Sequence, residues 1–106
     1  MKKTKNMYIK ESTESRELSL FIENNADLYT HYILPLCNRL KKDFKKGLYT
    51  REKAIEKFYP IATIGARVYS KTFADLRDYS YIFNVTARYT AAAELEKSFI
   101  DLIKEG

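Results

Sequence analysis

Apolar side chains recur every four residues through the middle of the chain, at Leu28, Tyr32, Leu36, Leu40 and Phe44. Because an α-helix has about 3.6 residues per turn, this spacing places all five on one face of a helix. Pro35 lies inside this stripe, where the missing backbone N–H disfavours a straight helix. We therefore predict a long second helix that ends at Gly47 and is kinked or split near Pro35.

One helix is predicted before this one and another after it. A short first helix is predicted over 14–24, and the Asn-Asn pair at its end predicts a break or a new cap. Thr50 is placed to cap a third helix over 51–73, in which Pro60 predicts another kink. The residues predicted to face inward in this third helix are Ala54, Ile55, Phe58, Ala62, Gly65, Ala66, Tyr69 and Phe73.

A fourth helix is predicted near the end of the sequence, after a loop or single turn over 75–83. Asn84 is placed to cap it, and the apolar pattern continues to about Lys104. Its predicted inward residues are Val85, Tyr89, Ala92, Ala93, Leu95, Phe99, Leu102 and Ile103.

The small number of turn-forming residues decides the fold class. The chain has 106 residues with only three Gly and two Pro, whereas a strand-rich fold needs a turn former at each hairpin. We therefore predict an all-α fold, a single-domain bundle of about four helices with the second and third kinked by proline. Residues 1–13 are predicted to be a basic, flexible arm and 14–106 the helical domain. The short connection at 47–50 predicts an antiparallel hairpin of the second and third helices.

Cysteine use and the N-terminal sequence bear on the compartment. The single cysteine, Cys37, excludes an internal disulfide and favours a reducing environment. The basic residues 1–10 lack the apolar run of a signal peptide, and no stretch approaches the ~18 apolar residues of a membrane span. We therefore predict a cytoplasmic protein that has no membrane partner.

Positive charge is concentrated in one part of the chain. The net charge is +5, and residues 39–57 hold eight cations against three acids. On a helical wheel, most of the cations of the second and third helices lie opposite the apolar stripes. The residues of this predicted basic surface are Lys41, Lys42, Lys45, Lys46, Arg51, Lys53, Lys57, Arg67 and Lys71. Such a surface suits the phosphates of DNA or RNA, although ordinary soluble helices also expose lysines.

Aromatic residues support a second hypothesis. The chain has nine Tyr and six Phe, most of which we expect in the core. Tyr79 and Tyr81 fall in the predicted loop, where their rings can contact a protein partner or stack on unpaired bases. The alternative function is therefore a protein–protein interaction module or a small regulator of a host or replication protein, with a homodimer among its forms.

Patterns for catalysis or metal binding are weak. Glu23, Asp27 and His31 are spaced four apart, and on one helix a His with two carboxylates can bind a divalent metal. The predicted break at Asn24 makes an exposed His beside an acid the simpler interpretation. Cys37 lies on the apolar stripe and is interpreted as a core residue. Because there is no Gly-rich phosphate loop and no nucleophile elbow, we predict a non-enzymatic protein with no cofactor or metal.

The sequence also resembles an uncharacterised family of short helical proteins of bacteriophages and plasmids. The residues that carry the resemblance are Glu17 to Asn24, Leu28, Tyr29, Pro35, Lys46, Gly47, Tyr49, Lys53, Ala54, Gly65, Ala66, Tyr69, Lys71, Phe73, Arg88, Ala92 and Leu95. The chain departs from the family pattern at Arg39, Asp43, Thr50 and Pro60. The resemblance implies no activity, but it implies an accessory protein of a mobile element, located in the host cytoplasm if phage-encoded. We expect this accessory protein to bind nucleic acid backbone through the basic helical hairpin.

Overall fold

A computed structural model describes residues 15–72 and 84–105. Within these two ranges the chain forms helices joined by short turns and contains no strand. The helices are α1 over 15–23, α2 over 26–45, α3 over Arg51–Thr72 and α4 over Val85–Glu105. The predicted all-α bundle of four helices is therefore confirmed. The predicted arm at 1–13, the predicted loop at 75–83 and Phe73 lie outside the described residues.

Helix α2 is continuous but changes its winding before Pro35. It consists of an α-helical turn over Ala26–Leu28, a π-helical segment over Tyr29–Ile33 and an α-helix over Leu34–Lys45. In the π segment the N–H of Leu34 donates to the carbonyl of Tyr29, five residues back. The proline then falls in the first turn of the following α-helix, where its missing N–H is tolerated. The chain thus accommodates the predicted disturbance through a π turn, without splitting the helix.

The π turn changes which residues of α2 face the core. Leu28 and Ile33, five positions apart, are both buried, whereas Tyr32 is 41% exposed. The apolar face then continues at Leu36, Cys37 and Leu40, which are also buried. The prediction that Tyr32 faces inward is wrong because the wider turn of a π-helix moves the inward position from the fourth residue to the fifth.

Phe44 was predicted to lie on the same inward stripe, and this prediction is also wrong. Phe44 is 38% exposed and lies in the last turn of α2. Its ring contacts Tyr49 edge to face, with the ring centroids 6.1 Å apart. The chain turns directly after α2, so Phe44 reaches the side of the turn and not the centre of the bundle.

Helix α4 is the central element of the described bundle. Helices α2 and α3 each pack more extensively against α4 than against each other. The prediction that α2 and α3 pack back to back as a hairpin is therefore wrong, although a short turn does join them. Helices α3 and α4 both carry small buried residues, which let neighbouring backbones approach closely. These residues are Ala62, Ala66, Ala87, Ala91 and Ala92.

Helix α1 covers α3 and reaches the start of α4. A Cβ atom on Gly65 of α3 would overlap the side chain of Ile22, so α1 packs directly on the α3 backbone there. Leu18 and Ile22 are completely buried. The hydroxyl of Ser15 donates to the carbonyl of Ala87 at 3.1 Å, which ties α1 to the first turn of α4.

The predicted inward faces of α3 and α4 are largely confirmed. Residues predicted inward and found buried are Ala54, Phe58, Ala62, Gly65, Ala66, Ala92, Leu95 and Ile103. Those found half-buried are Ile55, Tyr69, Ala93, Phe99 and Leu102. Two predictions are wrong, since Val85 is 54% exposed and Tyr89 is 43% exposed. At this end of α4 the inward positions are taken by Ala87 and Ala91, about 160° around the helix from Val85 and Tyr89.

Local signals fix the helix ends, as predicted. Asn25 caps α2 by accepting from the N–H of Leu28 at 2.9 Å, and Asn84 caps α4 by accepting from that of Ala87 at 2.8 Å. The Thr50 hydroxyl caps α3, and Gly47 ends the preceding helix with a φ of 74°, which favours glycine. Pro60 lies inside α3 without interrupting it, and a bend there stays a prediction. No helix among the described residues is both long enough and apolar enough to cross a membrane.

Candidate functional site

The predicted basic residues divide into two groups along the structure. One group surrounds the α2–α3 turn and is here called the basic end, consisting of Lys42, Lys45, Lys46, Lys53 and Lys57. All five side chains are exposed. The ion pair between Lys57 and Asp43, with Nζ and Oδ2 3.7 Å apart, shows that the two helices meet here. Lys41 is half-buried beside this group.

The second group lies farther along α3. Arg67 and Lys71 are exposed and share the outward side of α3 with Lys53 and Lys57. At about 1.5 Å per residue they lie roughly 15 and 21 Å beyond Lys57 along the helix axis. The structure therefore brings together the cations of the basic end, whereas Arg67 and Lys71 extend the same side toward the other end of α3.

Most lysines of the basic end make no ion pair in the described part of the chain, although Glu52 and Glu56 lie on the same helix as Lys53 and Lys57. Within the described part of the chain, Lys42, Lys45, Lys46 and Lys53 make no ion pair, and Lys57 alone of the five is paired. Asp43, the acid that pairs with Lys57, is itself about one-third exposed. The basic end is thus a cluster of solvated ammonium groups. The four lysines without an ion pair in the described part of the chain can contact an anion from solution.

Arg51 belongs to a different arrangement, centred on a buried carboxylate. Glu96 of α4 is 4% exposed, and its Oε1 lies 3.4 Å from Nε of Arg51. Its Oε2 accepts a short hydrogen bond from the hydroxyl of Tyr49. Glu96 therefore holds both the α2–α3 turn and the first residue of α3 against α4. Charge-assisted hydrogen bonds of this kind are stronger than neutral ones.

Tyr49 stays protonated in this arrangement. Burial raises the pKa of its hydroxyl well above the usual value, and the hydrogen bond to Glu96 and the charge of Glu96 raise it further. The Arg51 guanidinium lowers the pKa of Tyr49 but does not offset these effects. The phenol is accordingly a fixed proton donor to Glu96 and is unsuited to act as a base near neutral pH.

A surface groove of about 580 Å³ opens beside Glu96. We call it the Phe44 groove, and its lining residues are Phe44, Tyr49, Arg51, Glu96, Lys97, Ile100 and Lys104. The lining combines aromatic and aliphatic side chains with three cations and one carboxylate, which already contacts Tyr49 and Arg51. An anion that carries an apolar or aromatic group would find contacts for both parts here.

Sequence reasoning did not identify Glu96, Lys97 or Lys104 as site residues. One signal was present, because Glu96 follows Ala92 by four residues and precedes Ile103 by seven, which places a carboxylate on the apolar face of α4. A charged residue on that face needs a buried partner. The pattern could not show that the partners come from the α2–α3 turn.

The remaining candidates do not form a reactive site. The His31 ring is exposed, and its Nδ1 lies 2.9 Å from the carbonyl oxygen of Asp27. No group of three metal-ligating side chains is present among the described residues. Cys37 is buried, which raises the pKa of its thiol to about 11, against a smaller opposing effect of Lys41. A thiol with such a pKa is a weak nucleophile at neutral pH.

The predicted partner-binding residues Tyr79 and Tyr81 lie outside the described residues. The structure instead shows an aromatic pair between α3 and α4, where the rings of Tyr59 and Tyr89 stack at 4.1 Å. Nε and a terminal nitrogen of Arg88 donate to the Tyr59 hydroxyl at 3.3 and 3.1 Å. Of this pair, the Tyr89 ring is exposed at the surface near the start of α4.

Comparisons with protein-family models, with curated proteins and with solved structures found no match to this chain. They do not test the resemblance to the phage and plasmid family, which stays a prediction. The functional argument therefore depends on the geometry of the basic end and of the Phe44 groove.

Proposed function

We propose that this protein is a non-enzymatic accessory protein, of the mobile-element type that the resemblance implies, and that its basic end binds the backbone of nucleic acid. The observation that carries the proposal is the group of four exposed lysines around the α2–α3 turn that make no ion pair in the described part of the chain. Lysine ammonium groups bind phosphate as point charges without requiring a particular base sequence.

The expected mode of binding follows from this chemistry. Each lysine that neutralises a phosphate releases a condensed counterion, so the affinity falls with salt concentration by a slope of about 0.9 per contact on a log–log plot. Four to five contacts from the basic end imply a slope of roughly 4, and cations farther along α3 would add to it. We expect weak dependence on sequence because the contacts are to the backbone.

The test is a salt series with a fluorescently labelled 20-base-pair duplex, measured by anisotropy. Lys45→Gln combined with Lys53→Gln removes two of the proposed contacts and lowers the net charge by two. The matched control, Thr30→Glu combined with Thr86→Glu, changes the net charge equally at exposed positions. Thr30 lies about 22 Å along α2 from Lys45, and Thr86 is in the first turn of α4.

We expect the glutamine pair to lower the salt slope by about 2 and to weaken binding several-fold at low salt. The control pair should change the slope by much less. Absence of binding by the unmodified protein at low salt would overturn the proposal. Equal losses in the two double variants would overturn the assignment to the basic end, because net charge alone would then account for them.

A second candidate function is supported by the exposed apolar side chains at the start of α4. Val85 and Tyr89 are one turn apart and more than two-fifths exposed, and Tyr89 stacks on Tyr59. Exposed neighbouring apolar side chains are typical of protein contacts. If these residues pair two copies of the chain, light scattering will show a mass that rises with concentration, and Val85→Glu will abolish the rise. A constant monomer mass would exclude this pairing.

A further inference from the structure

We propose that the Phe44 groove holds an unstacked base of a single-stranded nucleic acid, with the Phe44 ring as the stacking face and the groove cations as contacts for the neighbouring phosphates. The inference deepens the proposed function and rests on it, since it assigns a strand type to a surface argued to bind the backbone. Four observations support it.

The first observation is that the Phe44 ring is both accessible and held in place. It is 38% exposed, and it contacts Tyr49 with the two ring planes at 80°. Tyr49 is fixed in turn by its hydrogen bond to the buried carboxylate of Glu96. A ring in contact with a fixed neighbour loses little conformational freedom when a base stacks on it, and base–aromatic stacking contributes ~1–3 kcal/mol per base.

The second observation is the position of the cations around the ring. Arg51 keeps its side chain 63% exposed although its Nε contacts Glu96. Lys97 and Lys104 are exposed and seven residues apart, which places them on the same side of α4 about 10 Å apart along the axis. All three line the same groove as Phe44. The groove therefore offers positive charge beside an aromatic face.

The third observation is size. A groove of about 580 Å³ lies within the range of ~300–1,000 Å³ that is typical of small-ligand sites. The fourth is proximity to the basic end, because Phe44 and Arg51, which line the groove, lie on either side of the turn that the basic end surrounds, while Lys42 and Lys45 lie about 160° and 100° around α2 from Phe44. A strand whose phosphates contact the basic end is thus close to the groove.

These observations favour a single strand over a duplex or an acidic peptide. The bases of a duplex are stacked inside it and cannot reach Phe44, whereas an unpaired base can turn away from its strand. An acidic peptide would satisfy the cations but would need an aromatic residue at one position to use the ring. Every nucleotide carries a π-face beside its phosphate, so a single strand satisfies both features at any register.

The experiment compares three ligands of equal length by fluorescence anisotropy: a 15-nucleotide single strand of mixed sequence, the same strand without bases, and a 15-base-pair duplex. The test variant is Phe44→Leu, which keeps an apolar side chain but removes the aromatic face. The matched control is Tyr32→Leu, because Tyr32 is an aromatic residue of the same helix with 41% exposure that does not line the groove. Far-UV circular dichroism checks that each variant is folded.

We expect Phe44→Leu to weaken binding of the single strand at least about fivefold, toward the affinity of the strand without bases. Binding of the duplex and of the strand without bases should be unchanged, and Tyr32→Leu should behave like the unmodified protein. A second measurement does not depend on a variant: photocrosslinking of a strand that carries 5-bromouracil should map by mass spectrometry to Phe44 or Tyr49.

Two sets of results would overturn the inference in different ways. If the unmodified protein binds the duplex but Phe44→Leu leaves single-strand binding intact, or if the crosslink maps away from the groove, the stacking site is wrong while the proposed function stands. If none of the three ligands binds, the proposed function fails and the inference with it. Displacement of the single strand by an acidic peptide with one Phe, lost in Phe44→Leu, would instead assign the groove to a protein partner and overturn the inference.

Discussion

The carboxylate of Glu96 connects three parts of the chain that are distant in sequence. It lies on α4, accepts a hydrogen bond from Tyr49 and pairs with Arg51. Because it is 4% exposed, neither oxygen can rely on water if its partner is removed. The position of the α2–α3 turn on α4 therefore depends on this residue.

We expect Glu96→Ala to lower the free energy of unfolding by about 2 kcal/mol, since hydrogen bonds to charged groups contribute ~1.5–3 kcal/mol and Arg51 stays solvated. Tyr49→Phe should cost at least as much, because it leaves an oxygen of the buried Glu96 carboxylate without a donor. Urea unfolding followed by circular dichroism measures both. Glu105→Ala, at an exposed position of the same helix, is the control and should stay within about 0.5 kcal/mol. A similarly small effect of Glu96→Ala would contradict the stabilising role.

Cys37 gives the protein a predictable response to alkaline pH. Burial raises the pKa of its thiol from 9.0 to about 11 in the folded chain. The unfolded chain therefore loses this proton first as the pH rises, and stability present below pH 9 is lost between about pH 9 and 11.

We expect Cys37→Ala to remove this part of the pH dependence. Relative to its own value at pH 8, the variant should lose about 2 kcal/mol less stability at pH 11 than the unmodified protein does. Urea unfolding at a series of pH values measures the difference between the two proteins. Parallel stability profiles would contradict a buried, protonated thiol.

At individual positions, the sequence predicts residues whose environment is set by their near neighbours. The caps at Thr50 and Asn84 and the burial of Cys37 were predicted because each depends on a few flanking residues. Glu96 was missed because its partner Tyr49 is 47 residues away in the chain. No local pattern specifies a contact of that kind.

Among the helices, the π turn of α2 shows how packing and proline act together. Leu28 and Ile33 are five positions apart, so an ordinary α-helix would place them about 140° apart around its axis and turn one of them toward the edge of the buried face. Pro35 disfavours the α-helical alternative because its ring would clash with the carbonyl four residues earlier. The π turn satisfies both requirements.

This account predicts different effects for two deletions made in a Pro35→Ala background. Deletion of Thr30 brings Leu28 and Ile33 to a spacing of four, which suits an α-helix, and should change the free energy of unfolding by less than about 1 kcal/mol. Deletion of Asn38 rotates Leu40 by about 100° relative to Leu36 and should cost about 3 kcal/mol or more. Both deleted residues are exposed, and urea unfolding compares them. Equal losses of stability in the two deletion variants would contradict the explanation that the spacing of Leu28 and Ile33 favours the π turn.

The contact between α1 and α3 depends on the missing side chain of Gly65. A methyl group there would overlap the side chain of Ile22, which is fully buried and would have to shift. We expect Gly65→Ala to cost about 1–2 kcal/mol in urea unfolding, the crowding being partly offset by the higher helix propensity of alanine. In an Ile22→Ala background the same change should be neutral or stabilising. If Gly65→Ala lowers stability equally with Ile22 and with Ala at position 22, overlap with Ile22 is not the cause of the loss.

Considered as a whole, the bundle has an order of packing that the sequence did not predict. Number, length and ends of the helices follow from apolar periodicity and caps, which are local properties. Which helix packs on which depends on small differences in shape between faces of similar hydrophobicity. The short turn at 47–50 favoured a back-to-back α2–α3 pair, but both helices pack more extensively against α4, and α3 and α4 carry small buried alanines.

The contrast between local sequence patterns and helix packing also explains how much of the basic surface was predictable. The lysines of the basic end come together because a five-residue connection, 46–50, joins their helices, a relation visible in the sequence. Lys97 and Lys104 join Arg51 in the Phe44 groove only because α4 packs beside the turn. The grouping of exposed lysines near the turn was therefore predictable from the sequence, whereas the cations that α4 contributes to the groove were not.

The central position of α4 has a consequence for synthesis of the protein. A ribosome delivers α2 and α3 before any of the residues from 85 onward, so the nascent chain first exposes apolar faces of these two helices whose main partner, α4, has not yet been made. Ile33 of α2 and Phe58 of α3 are fully buried in the folded bundle. Folding during translation is thus delayed until α4 has left the exit tunnel, and chaperones that bind apolar segments have their main opportunity during this interval.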